Sequence, residues 1–246
     1  MSLYAIGDLH LHFQSEVKAP GQSSGVWKNH EAVFSRHCQE LIAPEDTLVL
    51  AGDHSWGRTL AECEQDLQYI MALPGRKVLL RGNHDMFWDA KRTEALNRQF
   101  AGRLFFLQNN YYPYGDYALV GTKGFTFEGP FYLDRHRRIL GWDEEAEARA
   151  RKLVGRELER LRASFAAAQR DGYSRFILFL HYPPTSILEQ DSGFTALAEE
   201  FGAQHVVYAH CHGEPRFHDS VLGVKNGIRY SLVSGDYLRW VPQRIL

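Results

Sequence analysis

Short apolar runs recur along the chain at Leu3–Ile6, Thr47–Ala51, Val78–Leu80, Ala118–Val120, Phe176–Leu180, Val206–Ala209 and Ile228–Val233. Several are apolar at every position, which predicts strands covered on both faces. Between them, apolar residues return at helical spacing over Glu31–Ile42, Leu60–Leu73, Ala90–Phe100, Glu144–Gln169 and Thr195–Phe201, with Pro44 and Pro74 placed to end the first two helices. In the longest, Val154, Leu158, Leu161, Phe165 and Ala168 share one face, the mark of a core stripe rather than a site. Strand and helix alternate without a repeat, low-complexity tract or long linker, so residues 1–246 read as a single α/β domain.

Composition narrows the picture by exclusion. A chain of 246 residues can bury roughly 70 to 75% of its unfolded surface in one core. Its 44% apolar and 24% charged residues are ordinary for a globular protein. A formal charge of -2 gives no global attraction to nucleic acid or acidic membranes. No run approaches the roughly 18 apolar residues of a membrane span, and a strand beginning by Leu3 leaves no room for a secretory leader. Cys38, Cys63 and Cys211 are odd in number and sparse, which suits a reducing compartment. A cytoplasmic location and no membrane partner are therefore expected; oligomeric state is left open.

The chemistry follows the strands. Asp8, His10 and His12 come after the first, in "GDLHLH"; Asp53 after the second, in "GDHSW"; Asn83, His84 and Asp85 after the third, in "GNHD". Later come His181 in "LHYPP" and His210 and His212 in "YAHCHG". In α/β sheets ligands gather outside the carboxyl ends of strands, so segments spread over two hundred residues can converge. Each motif alone is weak, but the ordered set is strong.

That set resembles the calcineurin-like metallophosphoesterases, whose pattern runs DxH, GDxx, GNH[DE], a lone His, then GHxH. The resemblance covers nearly the whole chain. More narrowly, "YAIGDLHL", "AGDHSW", "LPGRKVLLRGNHDMFW", "GTKGF" and "SGDYL" resemble an uncharacterised bacterial branch of phosphohydrolases. The resemblance implies a four-layer αββα sandwich of two mixed β-sheets. It implies one metal held by Asp8, His10, Asp53 and His212, and a second by Asp53, Asn83, His181 and His210, with Asp53 bridging. Charge favours two metals independently: with one divalent ion and a hydroxide the two carboxylates leave the site net negative, and with two it becomes net positive and attracts phosphate. Mixed imidazole, carboxylate and amide donors suit Mn, Fe, Zn, Co or Ni better than Mg or Ca, with Mn favoured.

The implied reaction is hydrolysis of a phosphate ester, monoester or diester, of a small phosphorylated molecule, a metal-bridging hydroxide attacking phosphorus in line. By the same motif His84 contacts the phosphoryl oxygen or protonates the leaving alkoxide, and Asp85 fixes its tautomer. Two other readings compete. A structure-specific nuclease would need a basic groove that the net charge does not advertise, and a non-catalytic metal-stabilised scaffold would tend to lose the outer histidine that this chain keeps.

Other residues divide between functional and plain readings. His12 reads as a loop histidine rather than a ligand. His54, beside Asp53 on an extended chain, faces away more often than it touches substrate. His30, with Trp27 three residues before it, either reaches the site rim or packs the start of a helix. Arg81 and Lys123 are candidate phosphate contacts, the plainer alternative being solvated cations. In Phe131–Arg138, "FYLDRHRR", a loop ahead of a helix competes with a cover for the site in which Arg135 binds phosphate or base. Ala209 replaces the family's glycine before the paired histidines, harmless if its φ is negative and disturbing if positive. The lack of a GDxVDRG stretch argues against a phosphoprotein substrate.

Overall fold

The computed structural model describes residues 1–14, 25–125, 131–133, 139–142, 144–187 and 191–246. Its strands are β1 (Leu3–Ile6), β2 (Thr47–Leu50), β3 (Arg76–Leu80), β4 (Leu104–Leu107), β5 (Tyr111–Tyr114), β6 (Tyr117–Thr122), β7 (Phe131–Leu133), β8 (Ile139–Trp142), β9 (Arg175–Leu180), β10 (Ala203–Tyr208), β11 (Gly223–Lys225), β12 (Ile228–Leu232) and β13 (Gln243–Arg244). The helices are α1 (His30–Leu41), α2 (Glu64–Ala72), α3 (Thr93–Gln99), α4 (Glu144–Arg170), α5 (Gly193–Glu200) and α6 (Glu214–Asp219).

Two mixed sheets form. The first has the order β13-β1-β2-β3-β4, parallel except for the edge strand β13. The second has the order β11-β12-β10-β9-β6-β5, four parallel inner strands between antiparallel edges. A separate pair, β7 with β8, is antiparallel.

The alternation of side chains builds the layers. From the first sheet Leu3, Ala5, Val49 and Val78 point inward to meet Ile177, Phe179 and Val207 of the second. Their neighbours Ile6, Leu48, Leu50 and Leu79 point outward onto Phe34 and Cys38 of α1 and Leu67 and Ile70 of α2. On the opposite side Leu178, Leu180 and Val206 pack under Leu161 and Phe165 of α4 and Phe194 and Leu197 of α5. Helix, sheet, sheet and helix follow in that order, the four-layer sandwich expected from the family resemblance. All three cysteines are free and buried.

The long apolar runs are where expected, extended by a residue or more in β3, β6 and β10. The short elements were not anticipated. In β5, Pro113 sits exposed on an edge strand, the position where a missing N–H costs no ladder bond. In β4, "LFFL" is too short for periodicity to separate strand from helix. Helix α2 starts four residues later than expected, because residues 60–63 form a turn. Helix α5 starts two residues earlier than Thr195, because Ser192 caps it with a reciprocal box to Thr195.

The sheets are joined at the carboxyl end of β1. Gly7 pairs with Ser234 beyond β12, its N–H donating to Val233 O at 2.7 Å and its carbonyl accepting from Gly235 N at 3.1 Å. A Cβ on Gly7 would lie 2.6 Å from the Cβ of Ala209 and 3.3 Å from that of Ala51. Gly7→Ala should therefore destabilise the fold by about 1–3 kcal/mol, measured by denaturant unfolding. Adding Ala209→Gly in the same chain should recover part of the loss; no recovery would place the strain elsewhere.

Candidate metal centre

The seven residues expected as ligands meet at the carboxyl ends of the central strands of both sheets. Asp8 and His10 follow β1, Asp53 follows β2, Asn83 follows β3, His181 follows β9, and His210 and His212 follow β10. Their ligand atoms fall into two groups, Asp8 with His10 and His212, and Asp53 with His181 and His210, the atoms in each lying within 4.8 Å of one another. Asn83 Oδ1, His210 Nδ1 and Asp53 Oδ2 converge on His181 Nε2 at 2.9, 3.2 and 3.4 Å. Asp53 Oδ2 also lies 3.8 Å from His10 Nε2, so one carboxylate oxygen faces both groups.

The backbone is bent to make this convergence. Asp8, His10, Asp53 and His210 all have positive φ, at 60°, 47°, 54° and 70°. Such a conformation in a non-glycine residue costs on the order of 1–3 kcal/mol and persists only where the surroundings enforce it. Cross-links between the loops do so: Asp8 N donates to Gly52 O at 2.9 Å, His10 N to Asp53 O at 2.9 Å, and His210 N to Asp8 Oδ2 at 3.0 Å. Gly82 is needed for a different reason, since a Cβ there would collide with the carboxylate of Asp53. Ala209 has no positive φ, so its Cβ is accommodated, and Gly7 provides the space.

Charge is concentrated where water is excluded. Asp8 and Asp53 are fully buried, and burial alone would raise both carboxyls. The facing imidazoles outweigh it, His212 and His181 beside Asp8 and His181 beside Asp53, and hold both well below the usual carboxylate range. Burial would likewise lower the histidines. It does so for His10, pushed down to about 4, and for His210, pushed down to about 3. In His181 and His212 it is overcome, by Asp53 and by Asp8 respectively, and these rise to about 9 and about 10. Two anions thus draw positive charge onto two of the four imidazoles.

A metal ion fits this arrangement. Among the described residues Asp8 Oδ1 is buried without a hydrogen-bond partner, and it faces His212 Nε2 at 3.6 Å and His181 Nδ1 at 3.9 Å. A buried carboxylate oxygen left so is costly unless a cation meets it. The imidazoles are also oriented for ligation: His181 Nδ1 lies 2.9 Å from Ala51 O, and His212 Nδ1 lies 3.0 Å from Asp236 Oδ1, leaving Nε2 of each toward the centre.

Asp236 received no role from the sequence, although "SGDYL" follows β12 as the other ligand segments follow their strands. That shared placement was the available signal. Two indoles wall the first ligand group, of which the sequence pointed only to Trp27, through its spacing from His30. Trp56 stacks on His10 at 5.1 Å and approaches His84 at 4.2 Å, while Trp27 lies 5.7 Å from His10 and 5.5 Å from His212.

Two other expectations, a substrate contact by His54 and an orienting role of Asp85 toward His84, are corrected. His54 is fully buried with Nε2 2.8 Å from Leu80 O, so its ring cannot touch a substrate. Asp85 does not orient His84; Oδ1 accepts from His54 N at 2.8 Å, and Oδ2 from Asp53 N at 3.0 Å and Gly82 N at 2.7 Å. The half-buried ring of His84 has aromatic neighbours and, among the described residues, no hydrogen bond. His30 is buried between Leu9 O and Trp27 O and packs a helix start rather than reaching the rim. His12 only approaches His10 O, at 3.4 Å. Arg81 and Lys123 are half-buried near the Asn83 side, whereas Arg135 lies outside the described residues.

A family model described as calcineurin-like phosphoesterase matches residues 1–214. The chain belongs to that family and is a metal-dependent phosphoesterase. The phosphopantetheinyl hydrolase of Mycobacterium tuberculosis is similar in structure, with 16% identity, a TM-score of 0.58, and coverage of 100% of this chain and 95% of the other. A protein of unknown function from Aquifex aeolicus has 14% identity and a TM-score of 0.48 over 99% and 95% of the two chains. The calcineurin-like phosphoesterase YfkN of Bacillus subtilis has 16% identity and a TM-score of 0.47 over 96% and 82%. Comparison with curated protein sequences finds no match. No helix among the described residues is long and apolar enough to cross a membrane.

Because Asp53 faces both groups and His12 faces neither, Asp53→Asn should lower the number of bound metal ions, read by elemental analysis after gel filtration. His12→Ala should leave the stoichiometry unchanged. Equal metal content in the two variants would break the ligand assignment.

Proposed function

We propose that the chain hydrolyses a phosphate ester of a small molecule, monoester or diester, at a dinuclear centre. The ligands would be Asp8, His10, Asp53 and His212 for one ion and Asp53, Asn83, His181 and His210 for the other. The observation that carries this reading is the single oxygen Asp53 Oδ2, 3.4 Å from a histidine of one group and 3.8 Å from a histidine of the other. The donors mix two carboxylates, four imidazoles and an amide, which suits manganese first and iron, zinc, cobalt or nickel next. Bound there, two such ions supply the positive charge that draws in a phosphate and make water acidic enough to attack phosphorus at neutral pH.

The chain's own part is to position and to move a proton. Asp236 and the Ala51 carbonyl accept from His212 and His181 and fix which ring nitrogen faces inward. His84 has its backbone N–H bound to Asp53 Oδ1 at 2.8 Å, so the loop carrying its ring is tied to the bridging carboxylate. Its ring carries no hydrogen bond to a described residue and lies open beside Trp56. From there it donates a proton to the leaving oxygen or a hydrogen bond to the phosphoryl group. Arg81 and Lys123 contribute positive charge on the Asn83 side.

Stripping the metal should abolish ester hydrolysis, and Mn should restore it better than Ca, with Co or Ni next; full activity of a verified metal-free protein would overturn the reading. His84→Ala should retain two ions and lose ~10² to 10⁴ in turnover. The loss should shrink for a nitrophenyl ester, whose leaving group departs without a proton. Unchanged turnover on every ester tested, with metals intact, would remove His84 from the mechanism.

A further inference from the structure

Beside the second ligand group lies a cation that is not among the proposed metal ligands. Lys123 directly follows β6, and its backbone is fixed from several directions. Its carbonyl accepts from His181 N at 3.1 Å and Tyr182 N at 3.0 Å, and its N–H donates to Gln108 Oε1 at 3.2 Å. Gln108 Nε2 in turn donates to Thr122 Oγ1 at 2.8 Å, and Thr122 Oγ1 donates to Glu157 Oε2 at 2.5 Å. A buried polar network that anchors one residue beside a metal ligand is built for placement.

The side chain it places is half-buried. Its Nζ stands 5.3 Å from the ring centre of Tyr182 and 5.5 Å from that of Phe125. Among the described residues it makes no ion pair. The nearby carboxylate of Glu157 is engaged by Thr122 and Arg160, and that of Asp53 belongs to the centre. Arg81 is the second cation: its Nε donates to Trp88 O at 2.5 Å, and its terminal nitrogens have no hydrogen-bond partner among the described residues. Its charge acts on both Lys123 and Tyr182.

Tyr182 sets the spacing. Its ring centre is 4.2 Å from that of His210 and 5.3 Å from Lys123 Nζ, so one aromatic ring adjoins both a candidate ligand and the ammonium. A phosphoryl group seated at the ligands would leave Lys123 free to meet something further along the same molecule.

We propose that Lys123 and Arg81 form a second anion subsite beside the His181–His210 side of the centre. The substrate is then an organic phosphate carrying another anionic group, a phosphate or a carboxylate, a few bonds from the scissile phosphorus. This rests on the hydrolase reading and deepens it. A solvated lysine would need neither the backbone network nor two aromatic rings beneath its ammonium.

The test compares glycerol 3-phosphate, which has one anionic group, with 3-phosphoglycerate and 2,3-bisphosphoglycerate, which add a carboxylate and then a phosphate. Phosphate release and equilibrium binding are both measured on the manganese-loaded protein. Wild type should favour the esters with added charge, and the better of the two identifies the second group. Lys123→Ala should lower kcat/KM and affinity for the favoured ester about tenfold more than for glycerol 3-phosphate, and Lys123→Arg should restore much of the difference. Equal losses on all three esters would make Lys123 merely structural and overturn the subsite, as would no preference in wild type. Selective binding lost in Lys123→Ala, with no ester hydrolysed, would uphold the subsite and reject the hydrolase reading instead.

Discussion

Two carboxylates, Asp8 and Asp53, are buried where two sheets meet, and much of the local structure follows from keeping them there. A buried anion must be paired, and these two are met by histidines from β9 and β10 of the opposite sheet. The apolar core between the sheets, which gathers Val49 and Ile177 into one buried cluster, is held by packing and not by charge. The loops beyond the strands differ. Four residues at the centre accept left-handed backbone, and Gly82 gives up a side chain to let the Asp53 carboxylate pass. Strain gathers at the ligands because that is where an electrostatic requirement, rather than packing, decides the conformation.

The sandwich was legible in the sequence because its inner strands are apolar on both faces, a pattern that only a covered parallel sheet explains. The meeting of the candidate ligands was legible for a related reason: each directly follows such a run, and chain order matched a known family. What escaped notice lies where neither rule reaches. β13 has two residues and no periodicity. Trp56 stands in no periodic pattern, and only three-dimensional placement puts its ring, with that of Trp27, against His10. Asp85 shows the converse error, whereas His54 took the plainer of its two readings. Asp85 sits inside a ligand motif, and adjacency to His84 suggested contact with the outer imidazole. Its carboxylate instead turned into the protein, where three backbone amides claim it.

Asp85 then has a different importance. Its carboxylate binds the amides of Asp53 and His54 with one of its own loop, Gly82, joining the two segments that carry Asp53, Asn83 and His84. The return link is His84 N–H on Asp53 Oδ1. The two loops are locked reciprocally, side chain of each to backbone of the other, so the distance from Asp53 to the His84 backbone is set by hydrogen bonds rather than by packing. The ring itself is held otherwise. With Trp56 at 4.2 Å and, among the described residues, no hydrogen bond to its ring, His84 is confined by an indole, which limits its rotation. Polar links therefore place the backbone of this residue and an aromatic contact places its ring, so the two loops can hold the imidazole beside the centre without occupying its nitrogens.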